Sequence, residues 1–272
     1  MQLDGKTKLY GIMGNPVSHS LSPALHNAAF RARGLNRVYV PFEVTDVKLA
    51  LNGLRSLGVC GVSVTIPHKQ AVISHLDAID PVAERIGAVN TLSFQDGQIS
   101  GFNTDWIGAN HALATIADLP GATVLVLGAG GSARAIGFGL KEKGATVVLA
   151  NRTLALGQAL AKDLDCEYCP LEEVGAVKAD ALVNATSVGM RPETDATPVS
   201  RSVLEKIPAV MDIVYAPLET RLLREAGQAG CRTVAGTRML LFQGAAQYEL
   251  WTGRKAPVEV MEAALLAHLQ GK

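Results

Sequence analysis

The sequence predicts an α/β protein of two domains, an N-terminal α/β domain with a mostly parallel sheet and a doubly wound domain. Three observations lead there. Short apolar runs alternate with segments of helical period along most of the chain. One run, Thr123-Val-Leu-Val-Leu127, passes straight into Gly128-Ala129-Gly130-Gly131-Ser132-Ala133 and an alanine-rich helical segment. Two C-terminal apolar helices, Gly236–Gln247 and Pro257–Leu269, have too little sheet beside them in sequence and are expected to pack back on the first domain. The predicted boundaries are residues 1–105 with 237–272 for the first domain and 106–236 for the second.

Lys8–Gly14 reads as the first strand. It leads to His19-Ser20-Leu-Ser22-Pro23, where a hydroxyl before proline marks a helix start with Ser22 as N-cap. That helix runs to about Arg33, with Leu25, Ala28, Ala29 and Ala32 on one face. Two serines and a histidine at a strand-to-helix turn equally suit a carboxylate or hydroxyl ligand. Arg37–Val44 follows as a strand, Asp46–Leu57 as a helix and Cys60–Ile66 as a third strand, stopped by Pro67.

Pro67-His68-Lys69 is expected to open another helix. A first-turn position disfavours the positive charge of Lys69 and would ease proton loss from an acid–base lysine; a solvated surface lysine is the plain alternative. Asp80–Ile86 reads as a short helix, and Asp96-Gly97 folds the strand through Asn90 and Phe94 back on Ile99–Phe102. Asn103-Thr104-Asp105 leads into helix Ile107–Ile116, with Thr104 or Asp105 as an ordinary N-cap.

The glycine loop after Leu127 fits a dinucleotide fingerprint. Gly128 allows the tight turn, Gly130 lets a diphosphate approach the backbone, and Ala133 permits close packing of helix on strand. A second buried strand, Ala145–Ala150, ends in Asn151-Arg152-Thr153. An acidic residue at this point would bind a ribose 2′-hydroxyl; Arg152 instead pairs with a 2′-phosphate, which favours NADP over NAD. Helix Leu154–Leu164, a short strand near Cys166 and helix Leu171–Val177 continue the pattern. Strand Asp180–Ala185 ends in the polar loop Thr186-Ser187-Val-Gly189-Met190, where a nicotinamide-type ligand would lie. Ala209–Val214, helix Glu219–Ala229 and strand Arg232–Ala235 close the domain.

Composition sets outer limits. The 272 residues are 48% hydrophobic and 18% charged, enough for a substantial core. Lys+Arg and Asp+Glu both total 25, which gives no electrostatic case for nucleic acid or an anionic membrane. No run spans a bilayer and no signal peptide is evident, so a cytoplasmic protein acting on a small molecule, as monomer or homodimer, is expected. Cys166-Glu-Tyr-Cys169 has metal-site spacing but no second ligand pair, so reduced thiols and no metal site are expected.

Several separated motifs carry a resemblance: Gly14-Asn-Pro16 with His19-Ser20-Leu-Ser22-Pro23 and His26-Asn27, Val64-Thr65-Ile-Pro67-His-Lys69, Gly87-Ala-Val-Asn90-Thr91, and Asn103-Thr104-Asp105. Further along stand the Gly128 loop, Asn151-Arg152-Thr153, Asn184-Ala-Thr186-Ser187-Val-Gly189-Met190, Asp212-x-x-Tyr215-x-Pro217, and Gln243 with Gln247. In this order, over nearly the whole chain, they closely resemble the shikimate dehydrogenase family.

The resemblance implies reversible reduction of 3-dehydroshikimate to shikimate with NADP(H). It implies Lys69 and Asp105 as the catalytic pair, both also touching substrate. Ser20 and Ser22 would hold the substrate carboxylate, and Thr65, Asn90, Tyr215 and Gln243 the ring hydroxyls and carboxylate. The implied cofactor set is Gly128, Ala129, Gly130, Gly131, Ser132, Ala133, Asn151, Arg152, Thr153, Thr186, Ser187, Gly189, Met190, Val214, Gly236 and Met239.

This chain departs from the pattern in a few places. Ser63 stands where many members have Asn, which would alter a polar contact beside the substrate. Leu156 stands where some have a second basic residue, and Trp106 and Arg238 replace common glycines. Rival readings are an NAD-dependent quinate/shikimate dehydrogenase, disfavoured by Arg152, and a folate-linked dehydrogenase, disfavoured by the serine pair and Asn103-Thr104-Asp105. A non-catalytic ligand sensor is disfavoured by intact Lys69 and Asp105.

Overall fold

The computed structural model describes residues 3–271. The chain divides into two compact units, residues 1–104 with 241–272 and residues 105–240. The divisions differ from the sequence boundaries for local reasons: Asp105 is already the first residue of a helix, and the later division falls inside an unbroken one.

The first stretch of chain runs β1 (Lys8–Gly14), α1 (Ser22–Ala32), β2 (Arg37–Glu43), α2 (Val47–Ser56), β3 (Gly61–Val64), β4 (Ala78–Ile79), α3 (Pro81–Ile86), β5 (Thr91–Gln95) and β6 (Gln98–Phe102). Its six strands form one sheet in the order β2-β1-β3-β5-β6-β4. The pairings β1–β2, β1–β3 and β4–β6 are parallel; β3–β5 and β5–β6 are antiparallel. The β5–β6 hairpin turns on Asp96 and Gly97, both at positive φ (52° and 77°), as a two-residue Asp-Gly turn requires. The two-residue strand β4 is too short to show a period in sequence.

Three local expectations are corrected. Ser22 is the first residue of α1 rather than its N-cap; Leu21 takes that place, and the Ser22 N–H is accepted by Ser20 Oγ at 3.3 Å. Ala32 is exposed, and Phe30 is buried in its stead. No α-helix begins at Pro67: turns cover residues 66–72 and end in a single 3₁₀ turn, Ile73–His75. The reason is visible at Lys69, whose carbonyl accepts from Val89 N–H at 2.8 Å, outside its own segment. The helix-dipole argument for Lys69 therefore has no helix to rest on.

The second unit holds α4 (Asp105–Leu113), β7 (Thr123–Leu127), α5 (Gly131–Glu142), β8 (Thr146–Asn151), α6 (Leu154–Leu164), β9 (Glu167–Pro170), β10 (Ala181–Asn184), α7 (Arg201–Leu204), β11 (Ala209–Asp212), α8 (Arg221–Gln228) and β12 (Arg232–Val234). Its sheet is parallel throughout, in the order β12-β11-β10-β7-β8-β9. Read from the other edge, this is the 3-2-1-4-5-6 order of dinucleotide-binding sheets, with the switch point between β7 and β10. Leu171–Ala176 is 3₁₀ rather than α-helical, and the four-residue α7 was not expected. Trp106 packs edge-on against Phe138, ring centroids 6.0 Å apart, which gives this aromatic a packing role.

The chain closes with α9 (Gly236–Thr252) and α10 (Val258–Leu269). The first sheet is covered on both faces. Met13, Val62, Val64 and Leu92 meet Leu51 and Leu54 of α2 on one side. Tyr10, Ile12 and Tyr39 meet Leu25 and Phe30 of α1, Leu241 and Tyr248 of α9, and Met261 of α10 on the other. Gly61 is required at this second face, because a Cβ there would lie 2.5 Å from Trp251 Nε1. That indole instead donates to the Leu92 carbonyl at 2.9 Å.

Candidate active site

In the second unit, three strand ends converge on Gly128. Its N–H donates to the Ala150 carbonyl at the end of β8 (2.8 Å), its φ is 122°, and a Cβ would stand 3.0 Å from the Ala185 carbonyl after β10. Only glycine allows that approach. At Gly130 the opposite holds: a Cβ would meet nothing within 4 Å, and no side chain caps α5. An open position at Gly130, just before the positive end of α5, suits a diphosphate. Gly131, Ser132 and Ala133 form the first turn of α5, with Ala133 buried and Ala129 partly so.

Asn151, Arg152 and Thr153 follow β8. Asn151 Nδ2 donates to the Thr153 carbonyl at 2.9 Å and pins this turn, while the Arg152 side chain is exposed. Leu156 is exposed in the next helical turn. The loop after β10 is held from inside. Asn184 Oδ1 accepts from Thr186 N (3.1 Å) and Thr186 Oγ1 (2.6 Å), and its Nδ2 donates to the Val188 carbonyl (3.2 Å) and to Asp212 Oδ1 (2.9 Å). Asp212 also accepts from Val214 N (3.0 Å) and Thr220 Oγ1 (2.6 Å). Burial pushes its carboxyl up to about 6 despite these hydrogen bonds.

This network ties Thr186 and Val188 to Val214, and Ser187, Gly189 and Met190 belong to the same loop. Gly236 packs directly on the Ile213 carbonyl, so Val214 and Gly236 adjoin, and buried Met239 lies in the first turn of α9. Burial raises the Tyr215 pKa. Asp105 opens α4, where its carboxylate complements the helix dipole. Sequence reasoning placed Asp212 in a motif and missed its part as hub with Asn184 and Thr220; a buried acid between two polar strand ends was the available signal.

In the first unit the structure gathers a buried polar cluster around Asn90. Asn90 Oδ1 accepts from Thr104 N (2.8 Å) and Thr91 Oγ1 (2.7 Å); its Nδ2 donates to Thr104 Oγ1 (3.0 Å) and Gln243 Oε1 (3.3 Å). Thr65 follows β3 and abuts Gly14, where a Cβ would collide with the Thr65 methyl. Lys69 is tied to the same neighbourhood by its backbone bond to Val89, next to Asn90. Ser20 and Ser22 lie at the start of α1, Ser22 buried. Ser63 is also buried, and its hydroxyl bonds Tyr39 and Gln247, so it belongs to the packing behind Asn90. The sequence motifs do not single out Tyr39, and they set Gln247 beside Gln243 without this packing role.

All four cysteines are free, and burial raises the Cys166 thiol to about 11, so it is no ready thiolate. Among the described residues no His, Cys, Asp and Glu group is placed to hold a metal ion, and no helix is long and apolar enough to cross a membrane.

Three family profiles match the chain. They are described as the shikimate dehydrogenase substrate binding domain (residues 12–92), shikimate/quinate 5-dehydrogenase (110–206) and the shikimate 5′-dehydrogenase C-terminal domain (236–266). A shikimate dehydrogenase (NADP(+)) of Methanothermobacter thermautotrophicus is 48% identical over 275 residues, spanning 97% of each chain. That of Natronomonas pharaonis is 49% identical over 266 residues, spanning 96% of this chain and 99% of its own. The crystal structure of Thermus thermophilus shikimate 5-dehydrogenase in complex with NADP(H) and shikimate superposes with a TM-score of 0.89. Its identity is 40%, over 96% of this chain and 99% of that one.

Proposed function

The chain belongs to the shikimate dehydrogenase family, and from that premise we propose that it reduces 3-dehydroshikimate reversibly to shikimate with NADP(H). The observation that carries the reading is the nucleotide cradle. Gly128 and Gly236 are closed by neighbouring backbone while Gly130 stands open at an uncapped helix start. That combination fits a diphosphate pressed on the Gly128–Ala133 loop.

In this reading the second unit is the cofactor domain. Arg152 pairs with the 2′-phosphate, flanked by Asn151 and Thr153. Thr186, Ser187, Gly189, Met190, Val214, Gly236 and Met239 wall the nicotinamide half. NADPH, when bound, supplies the hydride. The first unit is the substrate domain, and Asp105 and Tyr215 are assigned to the substrate as well. Ser20 and Ser22 offer hydroxyl donors to the carboxylate; Thr65, Asn90, Tyr215 and Gln243 hold the ring. Lys69 donates a proton to the oxygen that becomes the alcohol, and Asp105 orients the lysine and balances its charge.

Small molecules are then the partners of the site, with no nucleic acid or membrane involved, as the even charge balance suggests. A cytoplasmic protein, monomer or homodimer, with four free thiols, completes the reading. The experiment is product identification by NMR after mixing 3-dehydroshikimate with NADPH and enzyme. Shikimate is the expected product; unchanged substrate from folded protein overturns the proposal.

A further inference from the structure

A polar seam crosses one face of the first sheet beneath α9. Tyr39 of β2, Ser63 of β3 and Thr91 of β5 contribute to it, with Ser63 and Thr91 directly opposite in register. All are buried, and Gln247 reaches down from α9 to join them. Gln243 lies one helical turn earlier on the same side of α9 and meets Asn90.

Two backbone groups fix the direction of the hydrogen bonds that run from Tyr39 through Ser63, Gln247 and Thr91 to Asn90. The Asn90 carbonyl can only accept, so the Gln247 atom 3.2 Å from it is the amide nitrogen. Gln247 Nε2 also donates to Thr91 Oγ1 at 2.9 Å, which leaves Oε1 to accept from Ser63 Oγ at 2.8 Å. Ser63, its proton given away, accepts from the Tyr39 hydroxyl at 2.6 Å. At the other end the Thr104 N–H can only donate, so the Asn90 atom 2.8 Å away is the side-chain oxygen. Thr91 gives its proton to that same oxygen at 2.7 Å. The Asn90 amide nitrogen is thereby turned to Thr104 Oγ1 and Gln243 Oε1.

We propose that Gln247, acting with Ser63 and Thr91, is a positioning residue that locks Asn90 with its amide N–H groups, not its oxygen, toward the substrate ring. The inference rests on the functional reading above, in which Asn90 and Gln243 meet the ring hydroxyls. Both Asn90 N–H groups already have acceptors, so a ring hydroxyl takes the place of the longer contact, the one to Gln243 Oε1 at 3.3 Å, accepting from Asn90 and giving its own proton to that glutamine oxygen. The seam therefore selects for a ring substituent with an accepting oxygen, and Ser63 acts from behind the site without touching substrate.

The test uses shikimate and two analogues, each lacking one of the ring hydroxyls that does not react. Their dissociation constants are measured by calorimetry for the wild type and Gln247→Glu, together with that of NADP. Gln247→Glu keeps the acceptor for Ser63 but places a second acceptor against the Asn90 carbonyl and Thr91, so Thr91 turns its proton away from Asn90. Shikimate should bind about tenfold more weakly. The analogue lacking the hydroxyl met by Asn90 should weaken less than about twofold, and NADP should be unchanged.

Equal weakening of all three ring ligands, or of none, would overturn the inference. Ser63→Ala removes the link without adding charge and should show the same selective pattern at about two- to threefold; it decides the matter if Gln247→Glu does not fold. A wild type that binds none of the ring ligands would overturn the functional reading instead.

Discussion

His26 lies face to face on Tyr39, ring centroids 4.5 Å apart and planes 15° apart. The imidazole is fully buried, and among the described residues neither ring nitrogen meets a partner in hydrogen-bonding geometry. Burial pushes its pKa from 6.5 down to about 3, opposed only in part by the nearby Gln247 amide. The ring stays neutral in the fold and takes its proton on unfolding. This contribution is fully present above pH 6.5 and is lost as the pH falls toward 3, up to about 5 kcal/mol. Urea unfolding at about pH 7.5 and pH 4.5 should show His26→Phe losing about 2–3 kcal/mol less than the wild type. Equal losses would contradict this.

Asp212 has the opposite sign. Its folded pKa, about 6, lies above the ordinary 3.8 because burial disfavours the carboxylate. Its contribution is present below pH 3.8 and is lost as the pH rises through 6, about 3 kcal/mol in all. Asp212→Asn retains an acceptor for Asn184 and Val214 and presents an amide to Thr220. Relative to the wild type, that variant should gain stability between about pH 4 and pH 7; a constant difference across the range would refute the assignment.

Two glycines separate fold from cofactor binding. Gly130→Ala meets open space at a φ of −87° and should leave the melting temperature unchanged. It should nevertheless raise the KM for NADPH about tenfold or more by blocking the diphosphate. Gly236→Ala drives a methyl into the Ile213 carbonyl and should cost several kcal/mol of stability, about 3 or more. Unaltered NADPH kinetics in folded Gly130→Ala would remove the cradle from the account.

Lys69→Ala should lower kcat by about two to four orders of magnitude, as expected for loss of a general acid, and change the KM for shikimate by only several-fold. An unchanged kcat would exclude the lysine as proton donor.

Legibility in the sequence followed length and regularity. Buried parallel strands such as Thr123–Leu127 announce themselves as apolar runs ending in glycine, and the Asp96-Gly97 hairpin carries its own turn chemistry. Where a distant partner takes over a backbone group, local pattern fails. Val89 claims the Lys69 carbonyl, so the segment after Pro67 turns instead of winding into a helix. At α1 the shift is local instead: Ser20, two residues back, accepts the Ser22 N–H, and the expected cap becomes the first helical residue. Individual site positions stood out by motif. Their support did not, because Tyr39, Ser63, Thr91 and Gln247 are far apart in sequence and meet only when α9 settles on the sheet.

The most direct measurement is the initial rate of absorbance change at 340 nm with shikimate and either NADP or NAD, for the wild type and Arg152→Ala. Rapid reduction of NADP with slow reduction of NAD is expected, and Arg152→Ala should raise the KM for NADP about ten- to a hundredfold while leaving NAD unaffected. Comparable wild-type rates with the two cofactors would contradict the 2′-phosphate role of Arg152, and no reduction of either by folded enzyme would contradict the proposed activity itself.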